Sequence, residues 1–307
     1  MRIYNNISEI TTLQHAIVTI GTFDGVHLGH QKIIKHLLEI KQREGGETVL
    51  FTFAPHPRKV LFPDQKDLRL ITTTEEKCDL LKQFGIDHVL VFPFTKAFSQ
   101  MHANDYVTEI IAKALHTKTL VIGYDHRFGS DRAGNIDTLK SLSAANHFTV
   151  EEIPVQEINM LNVSSSRIRK AIEEGDIDTA NAYLGYHFFI TGEVVKGKQL
   201  GRTIGYPTAN IVIDDEDKLI PKIGVYAVNV LIGKEMHKGM LNIGTNPTTD
   251  SDNKVKIEVN MFDFDKELYG QKIKVEFIKH IRDEQKFANL DELKQQLAND
   301  KIACSHV

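Results

Sequence analysis

The hydrophobic pattern of the chain changes near residue 185, and this change predicts two domains of different fold class. Before that point, short apolar runs alternate with amphipathic segments. Residues 17–20 form one such run, and residues 32–43 then place apolar side chains at helical spacing. Because strands that alternate with helices are joined by right-handed crossovers, this half predicts a mostly parallel, Rossmann-like sheet.

Beyond residue 185, strand-like runs follow one another without a long helix between them. Residues 254–261 and 272–278 each alternate apolar and polar side chains, which indicates strands with one buried face. Strands of this kind predict an antiparallel sheet that closes as a small barrel. Residues 287–299 then show the apolar spacing of a final helix.

The length of the chain agrees with this division into two parts. A chain of 307 residues is enough for two domains of roughly 150 residues each. We place the boundary at Leu184-Gly185, where the helical pattern ends. The prediction is an α/β Rossmann-like domain over residues 1–184, followed over 185–307 by a small antiparallel β-barrel domain with a C-terminal helix.

Composition and charge narrow the class of ligand. The chain is 41% hydrophobic and 25% charged, with a net charge of −4 and no basic block, so we expect no nucleic-acid partner. No apolar run approaches the roughly 18 residues of a membrane span, and the start does not resemble a signal peptide. We therefore expect a cytoplasmic protein without membrane association. Cys78 and Cys304 lack the spacing of a disulfide scaffold or a zinc site.

A motif rich in glycine and histidine follows the first buried run. Residues 21–30 read G-T-F-D-G-V-H-L-G-H, and they match neither the dinucleotide-binding nor the P-loop pattern. His27 and His30 are three residues apart at a strand-to-helix junction, which places both imidazoles beside the free N–H groups of the helix start. The alternative is a pair of capping histidines on a surface turn. The position after a buried strand favours a phosphate site.

A serine-arginine segment provides a second candidate group. Residues 164–169 read S-S-S-R-I-R, which places hydroxyl groups at a helix start and guanidinium groups in its first turns. Such groups are suitable donors for nucleotide phosphates. Taken alone, a plain serine cap with solvated arginines is the better interpretation.

Together these two segments resemble the HxGH nucleotidyltransferase superfamily, whose members transfer a nucleotidyl group to a phosphate and release pyrophosphate. Residues 52–57, T-F-A-P-H-P, and 123–129, G-Y-D-H-R-F-G, narrow the resemblance to the FMN adenylyltransferase module of bacterial bifunctional riboflavin kinase/FAD synthetases. The resemblance implies that His27 and His30 are catalytic and hold the phosphates of ATP. It implies that His56 and Asp125 line the flavin pocket. The further ATP-binding residues that it implies are Gly21, Phe23, Asp24, Ser165, Ser166 and Arg169.

A different motif marks the second half of the chain. Residues 201–210 read G-R-T-I-G-Y-P-T-A-N. Thr208 and Asn210 are two apart at a strand start, so their oxygens project to one face and can share a Mg²⁺ ion with nucleotide phosphates. The neighbouring glycines, with Lys198 and Arg202, would form a flexible cationic flap. The alternative is a proline-bearing turn with an asparagine at the start of a strand.

Glu258 is the acidic residue that we single out. It lies on the polar face of an alternating strand. If that face lines a pocket, its carboxylate can accept the proton of an attacking hydroxyl group. If the face is solvated, Glu258 is an ordinary surface residue.

The pattern G-R-x-x-G-x-P-T-A-N resembles the riboflavin kinase family, and Glu258 with residues 282–287, R-D-E-Q-K-F, fits the same family. The resemblance implies that Thr208 and Asn210 bind Mg²⁺ and ATP, with Gly201 and Arg202 also at the nucleotide. It implies that Glu258 is the general base on the ribityl 5′-hydroxyl group and that the Arg282 loop covers the isoalloxazine. Asn246 stands where the family often has arginine.

The combined resemblance implies a bifunctional enzyme of flavin cofactor biosynthesis. The C-terminal domain would phosphorylate riboflavin to FMN, and the N-terminal domain would adenylylate FMN to FAD with release of pyrophosphate. Riboflavin, FMN, FAD and ATP are the expected ligands, with Mg²⁺ as cofactor, in a monomer or weak homo-oligomer. Two alternatives stay open: adenylyl transfer to another phosphomonoester, and a flavin-sensing regulator without turnover.

Overall fold

The structure is a computed structural model that describes residues 1–10, 13–64, 68–123, 126–153, 163–197, 200–245 and 255–307, apart from the side chains of residues 132, 200 and 202. The chain forms two compact units. The first comprises Met1–Leu68 and Thr72–Ser165, and the second comprises Arg69–Ile71 and Ser166–Val307. The boundary at Leu184-Gly185 concerns functional domains and stays a prediction.

The first unit is built on a six-stranded sheet in which every pair of neighbours is parallel. The strand order is β1-β4-β3-β2-β5-β6. The strands are β1 (Arg2–Tyr4), β2 (Ala16–Ile20), β3 (Glu47–Ala54), β4 (His88–Pro93), β5 (Thr117–Gly123) and β6 (Thr149–Ile153). The helices are α1 (Leu28–Glu44), α2 (Pro57–Leu61), α3 (Thr74–Gln83), α4 (Lys96–Ser99), α5 (Ala103–Asp105), which continues as a π-helix (Tyr106–Ala114), and α6 (Ile136–Ser143).

The strand order places β2 at the point where the chain reverses its direction across the sheet. The chain runs from β2 outward through β3 and β4, and then returns to the other side of β2 as β5. In open parallel sheets, ligands bind outside the carboxyl ends of the strands at such a reversal. The glycine-histidine motif begins directly after β2 and so lies at this edge.

The second unit holds a closed barrel of six antiparallel strands in the order β10-β11-β8-β7-β12-β9. The strands are β7 (Phe189–Val195), β8 (Ala209–Val212), β9 (Gly224–Ile232), β10 (Glu235–Thr245), β11 (Val255–Met261) and β12 (Lys272–Arg282). The helices are α7 (Ser165–Glu174), whose first residue is counted with the first unit, α8 (Ile177–Leu184), α9 (Leu200–Thr203) and α10 (Leu290–Ser305). Phe188, Tyr226 and Phe277 are fully buried in its core.

A short segment from the first half of the sequence belongs to the second unit. Leu70 forms a parallel bridge with Lys218, and its backbone N–H donates to the Asp217 carbonyl at 2.7 Å. The buried Lys218 ammonium group donates to the carbonyl oxygens of Ile71 at 2.6 Å and Phe189 at 2.8 Å. Residues 69–71 are therefore tied to the barrel by backbone and side-chain hydrogen bonds.

The parallel sheet, the antiparallel barrel and the final helix confirm the predicted fold class. The differences are local. β1 was not predicted, because three residues are too few to show a period. The final helix begins at Leu290, three residues later than predicted, since Asn289 accepts a hydrogen bond from the backbone N–H of Glu292 and so caps the first turn.

Candidate active sites

The turn between β2 and α1 carries the first site. His27 is the N-cap of α1, and its Nδ1 accepts a 3.4 Å hydrogen bond from the backbone N–H of His30. The two imidazole rings stack with centroids 3.7 Å apart and planes at 15°. Because Nδ1 of His27 accepts, the neutral ring carries its proton on Nε2, where it is a hydrogen-bond donor.

This turn has a strained backbone. Phe23 and Val26 have φ angles of 48° and 35°, and Gly25 between them has a φ of 82°. Positive φ is rare for residues with a side chain and most unusual for a β-branched one such as Val26. Such a conformation costs about 1–3 kcal/mol per residue and persists only where the surroundings impose it. The backbone of this turn is therefore held by contacts with other segments.

Three side chains supply those contacts. The Asp24 carboxylate accepts a hydrogen bond from the backbone N–H of Thr72 at 3.1 Å. The Thr72 hydroxyl accepts one from the backbone N–H of Gly25 at 3.1 Å, and the Ser165 hydroxyl donates to the Asp24 carbonyl at 3.0 Å. Asp24 and Ser165, two of the predicted ATP-binding residues, thus brace the turn.

The electrostatics of the turn keep His30 uncharged. Burial lowers the pKa of His30 well below its ordinary value, and the neighbouring His27 and Lys77 lower it further. At neutral pH, the ring therefore carries one N–H. Its Nδ1 is buried and has no hydrogen-bond partner in the described part of the chain. Because buried polar atoms are nearly always paired, this orphaned nitrogen is consistent with a ligand at the turn.

Lys77 is a residue of this site that sequence reasoning missed. It is buried on α3, and its ammonium group donates to the Thr22 carbonyl at 3.1 Å and the Thr52 hydroxyl at 3.0 Å. The available signal was its place four residues before Leu81, on the apolar face of the helix. A lysine on such a face has an ammonium group that must find polar partners.

The other predicted residues of the first site are placed as follows. His56 caps α2, where its Nδ1 accepts a 3.2 Å hydrogen bond from the backbone N–H of Arg58. Ser166 and Arg169 lie on α7 and are counted with the second unit. Asp125 lies outside the described residues. The roles of these four residues stay predictions.

The second site lies on the barrel, where three polar residues stand side by side. Glu258 on β11 is paired directly with Asn210 on β8 and with Asn242 on β10. Residues paired across an antiparallel ladder share one face of the sheet, so the Glu258 carboxylate lies between two amide side chains. All three side chains are half-buried. The predicted base and one predicted Mg²⁺ ligand are therefore neighbours.

Two glycines of the predicted flap pack tightly against the segment that carries Thr208 and Asn210. A Cβ atom at Gly197 would lie 2.1 Å from Nδ2 of Asn210, a distance that no real contact shows. A Cβ atom at Gly201 would lie 2.2 Å from the Tyr206 carbonyl oxygen and 3.5 Å from the Thr208 hydroxyl oxygen. Glycine at both positions lets the chain pass close to Thr208 and Asn210. The Arg202 side chain lies outside the described part of the structure.

Asn260 is a second residue that sequence reasoning missed. Its buried amide Nδ2 donates a 2.7 Å hydrogen bond to the Pro207 carbonyl, directly before Thr208. The signal was present, since Asn260 follows Glu258 by two residues on the polar face of β11. A polar side chain that is buried on that face requires a partner, and here the partner is the backbone of the motif.

Arg282 is held by the final helix. Its guanidinium donates to both carboxylate oxygens of Asp300 at 2.9 and 2.8 Å, and Gln296 donates to the same carboxylate at 2.8 Å. Asp300 is 2% exposed, so this is a buried bidentate pair. The pair fixes α10 to the end of β12, from which the next loop begins.

That loop and α10 line an open concavity of about 500 Å³. Its lining residues are Gln285, Lys286, Phe287, Glu292, Gln295 and Gln296. The same loop comes close to the three polar residues of the barrel. A Cβ atom at Gly244 would lie 2.6 Å from Oε1 of Glu284, which is in the loop, and 3.1 Å from Nδ2 of Asn242, which is paired with Glu258. The concavity therefore lies between α10 and the loop after Arg282, which is the loop predicted to cover the isoalloxazine.

Two family models match the chain: the FAD synthetase model over residues 9–167 and the riboflavin kinase model over residues 184–307. The bifunctional riboflavin kinase/FMN adenylyltransferase of Listeria monocytogenes is 38% identical over 285 residues, which cover 93% of this chain and 90% of that protein. The protein of the same name from Buchnera aphidicola is 39% identical over 298 residues, which cover 96% and 94%.

Among solved structures, one described as a macrolide-efflux protein from Streptococcus pneumoniae superimposes with a TM-score of 0.88 at 33% identity, covering 100% of this chain and 99% of that one. In the part of the chain that the structure describes, no helix is both long and apolar enough to cross a bilayer.

Proposed function

This chain belongs to the family of bifunctional riboflavin kinase/FMN adenylyltransferases, and we propose that it converts riboflavin to FAD in two ATP-dependent steps. The observation that carries the proposal is that each unit has its own group of residues suited to phosphate chemistry. One unit has the stacked His27–His30 pair after β2, and the other has Glu258 paired with Asn210 on the barrel. We assign the second step to residues 1–184 and the first to 185–307.

In the first step, the Glu258 carboxylate takes the proton of the riboflavin 5′-hydroxyl group. The hydroxyl oxygen then bonds to the γ-phosphorus of ATP while the bond to the β,γ-bridging oxygen breaks, and ADP leaves. Asn210 and Asn242 flank Glu258 in register, which supports this assignment because both amides can orient the carboxylate. Asn260 supports the step by holding the Pro207 carbonyl.

Thr208 and Asn210 fit a Mg²⁺ ion by their chemistry. Mg²⁺ prefers oxygen ligands and keeps several waters, and these two side chains offer one hydroxyl and one amide oxygen. The absence of Cβ atoms at Gly197 and Gly201 leaves both groups close to the flap without a clash. When bound, Mg²⁺ would neutralise charge on the phosphates, and Arg202 would add a second positive charge.

In the second step, a phosphate oxygen of FMN attacks the α-phosphorus of ATP, and pyrophosphate leaves. No side-chain nucleophile is required, so the residues act by positioning and by hydrogen bonding. The Nε2–H group of His27 and the ring N–H group of His30 donate to phosphate oxygens. The first amides of α1 add their partial positive charge. Ser165, whose hydroxyl group donates to the Asp24 carbonyl, belongs to the same proposed site, and the ATP-binding roles of Ser166 and Arg169 stay predictions.

Each step needs a place for the flavin ring. For the second step, half-buried aromatic rings lie at or just beyond the carboxyl ends of β3 and β4 and provide flat apolar faces; the first of them, Phe53, comes shortly before His56 in the sequence. They are Phe53, Phe92, Phe94 and Phe98, with ring centroids 4.8–6.0 Å apart. For the first step, the concavity beside Phe287 is the candidate, with Arg282 and Asp300 supporting its loop.

The remaining assignments follow from the same proposal. We infer a cytoplasmic enzyme that binds riboflavin, FMN, FAD and ATP, without a nucleic-acid or membrane partner, as a monomer or weak homo-oligomer. The alternative of adenylyl transfer to another phosphomonoester is disfavoured by the riboflavin kinase match over 184–307. A sensor without turnover would have no need of a carboxylate base between two amides.

The test is the product profile, measured by chromatography after incubation with ATP and Mg²⁺. Purified protein should convert riboflavin to FMN and then FAD, and should convert supplied FMN to FAD. Glu258→Gln, which keeps the shape of the side chain, should abolish FMN formation and leave FAD formation from FMN intact. His30→Ala should do the reverse. Absence of both products from the unaltered protein refutes the proposal, and loss of both activities in either variant refutes the division of labour.

A further inference from the structure

The first unit buries a lysine that the two reactions leave without a role. Lys77 on α3 is 6% exposed, while its helical neighbours Cys78, Leu80 and Leu81 fill the core as apolar groups. Removing an ammonium group from water is costly even after the surroundings relax. An apolar residue would pack this position without that cost. The charge must therefore be compensated by its surroundings.

The contacts of Lys77 converge on the strained turn. Its ammonium group donates to the carbonyl oxygen of Thr22 at 3.1 Å and to the hydroxyl oxygen of Thr52 at 3.0 Å. The Thr52 hydroxyl in turn donates to the same Thr22 carbonyl at 3.0 Å. These three bonds join α3, β3 and the start of the turn after β2. The turn is thus held at Thr22 by Lys77 and at Asp24 by Thr72.

The charge of Lys77 acts on the histidine pair. Both of its hydrogen-bond partners are neutral oxygens, and burial lowers the pKa of the lysine while the nearby Asp24 opposes that shift. Among the groups that act on His30, burial comes first, His27 second and Lys77 third, and all three lower its pKa. A buried cation beside the uncharged His30 imidazole gives the turn a positive potential, which suits a polyphosphate ligand.

We propose that Lys77 is a positioning residue of the adenylyl transfer step. Through the Thr22 carbonyl, it holds the turn of residues 21–27 in its strained conformation. Through its charge, which lies beside the histidine pair, it favours a His30 ring that meets the phosphates of ATP as an uncharged hydrogen-bond donor. This assignment rests on the proposed conversion of FMN to FAD, which the unaltered protein tests separately.

The experiment separates charge from geometry with four variants. Lys77→Met removes the charge and the donors; Lys77→Gln removes the charge but keeps an amide donor; Lys77→Arg keeps the charge. Thr52→Val removes the hydroxyl partner and keeps the lysine. Lys82→Met, an exposed lysine on the same helix, is the matched control. The readouts are kcat and KM for FMN to FAD from pH 5 to 9, and the NMR titration of the His30 ring.

For Lys77→Met and Lys77→Gln, we expect kcat to fall by about 100-fold, as small misplacements in a positioned site commonly cause. We also expect the His30 titration and the acid limb of the profile to move to higher pH, because a positive charge that lowers the pKa of His30 has been removed. Lys77→Arg should leave the titration in place. Thr52→Val should lower kcat without shifting the His30 titration.

Two outcomes would overturn the proposal. One is an unmoved His30 titration in both neutral variants; the other is a kcat within about threefold of the unaltered protein. Riboflavin phosphorylation should be unchanged in all variants, which checks that the second unit is intact. Thermal melting of each variant checks the first unit. If Lys77→Met does not fold, Lys77→Gln decides the question, since it keeps a polar donor at the buried position.

Discussion

Replacing Asp300 with alanine tests a deeply buried ion pair of the barrel unit. The carboxylate is 2% exposed and accepts two hydrogen bonds from Arg282 and one from Gln296. Breaking a buried pair by removing one partner typically costs about 3–5 kcal/mol, because the other charge is left uncompensated. The Arg282 side chain retains 16% exposure. Water can therefore reach part of the guanidinium, and we expect the lower end, about 3 kcal/mol.

In a unit of roughly 150 residues, each kcal/mol moves the melting temperature by about 2–4 °C, so the expected decrease is about 6–12 °C. The assay is the temperature at which riboflavin phosphorylation is lost, followed together with the calorimetric transition. Lys294→Ala, an exposed residue of α10, is the control and should change the free energy of unfolding by less than about 0.5 kcal/mol.

The Asp300 variant should also raise the KM for riboflavin, because the loop after Arg282 loses its anchor to α10. Conversion of FMN to FAD should be unaffected at temperatures where the variant is folded. If Asp300→Ala melts within about 2 °C of the unaltered protein, the pair does not stabilise the barrel and the reasoning fails. Asp300→Asn keeps one carbonyl acceptor, so its melting temperature should lie between those of Asp300→Ala and the unaltered protein.

Two further substitutions test the second site. Asn260→Ala removes the 2.7 Å hydrogen bond to the Pro207 carbonyl, so we expect kcat/KM for riboflavin phosphorylation to fall by the equivalent of about 1–2 kcal/mol. The measurement is made at saturating ATP and again at saturating riboflavin. An unchanged kcat/KM under both conditions would contradict the role of this hydrogen bond. Gly197→Ala places a methyl group where Nδ2 of Asn210 stands, so riboflavin phosphorylation should fall at least tenfold. Gly233→Ala is the control for adding a methyl group to the barrel unit without a side-chain clash, because a Cβ atom there meets nothing within 4 Å and only the strain of its positive φ is added. Equal rates for both variants would rule out the contact at Gly197.

The elements that sequence reasoning predicted best are those with a strong period. The alternation of residues 255–261 identified β11 within one residue of its observed start, and the alternation also placed Glu258 on the polar face. Periodicity does not predict which residue on the adjacent strand is paired with a given residue. The pairing of Glu258 with both Asn210 and Asn242 depends on the register of three strands, which the sequence of one strand does not determine.

The candidate site was predictable where a motif places residues close together in sequence, as with His27 and His30. The site was not predictable where the residues that hold the motif in place are distant from it in sequence. Lys77 follows the motif by nearly fifty residues, and its role depends on α3 packing against the turn. Thr72 likewise fixes Asp24 through its backbone N–H, a group that carries no sequence signal. Tertiary contacts of this kind appear only when the fold is known.

The attachment of residues 69–71 to the barrel bears on how this chain can be divided for separate expression. A fragment that begins at residue 185 would lack the strand segment whose backbone pairs with Asp217 and Leu219. It would also leave the Lys218 ammonium group without the Ile71 carbonyl, one of its buried acceptors. The loss of one hydrogen bond from a charged donor costs about 1.5–3 kcal/mol. A truncated kinase fragment would therefore need a substitute for this segment, such as a linked peptide carrying residues 69–71.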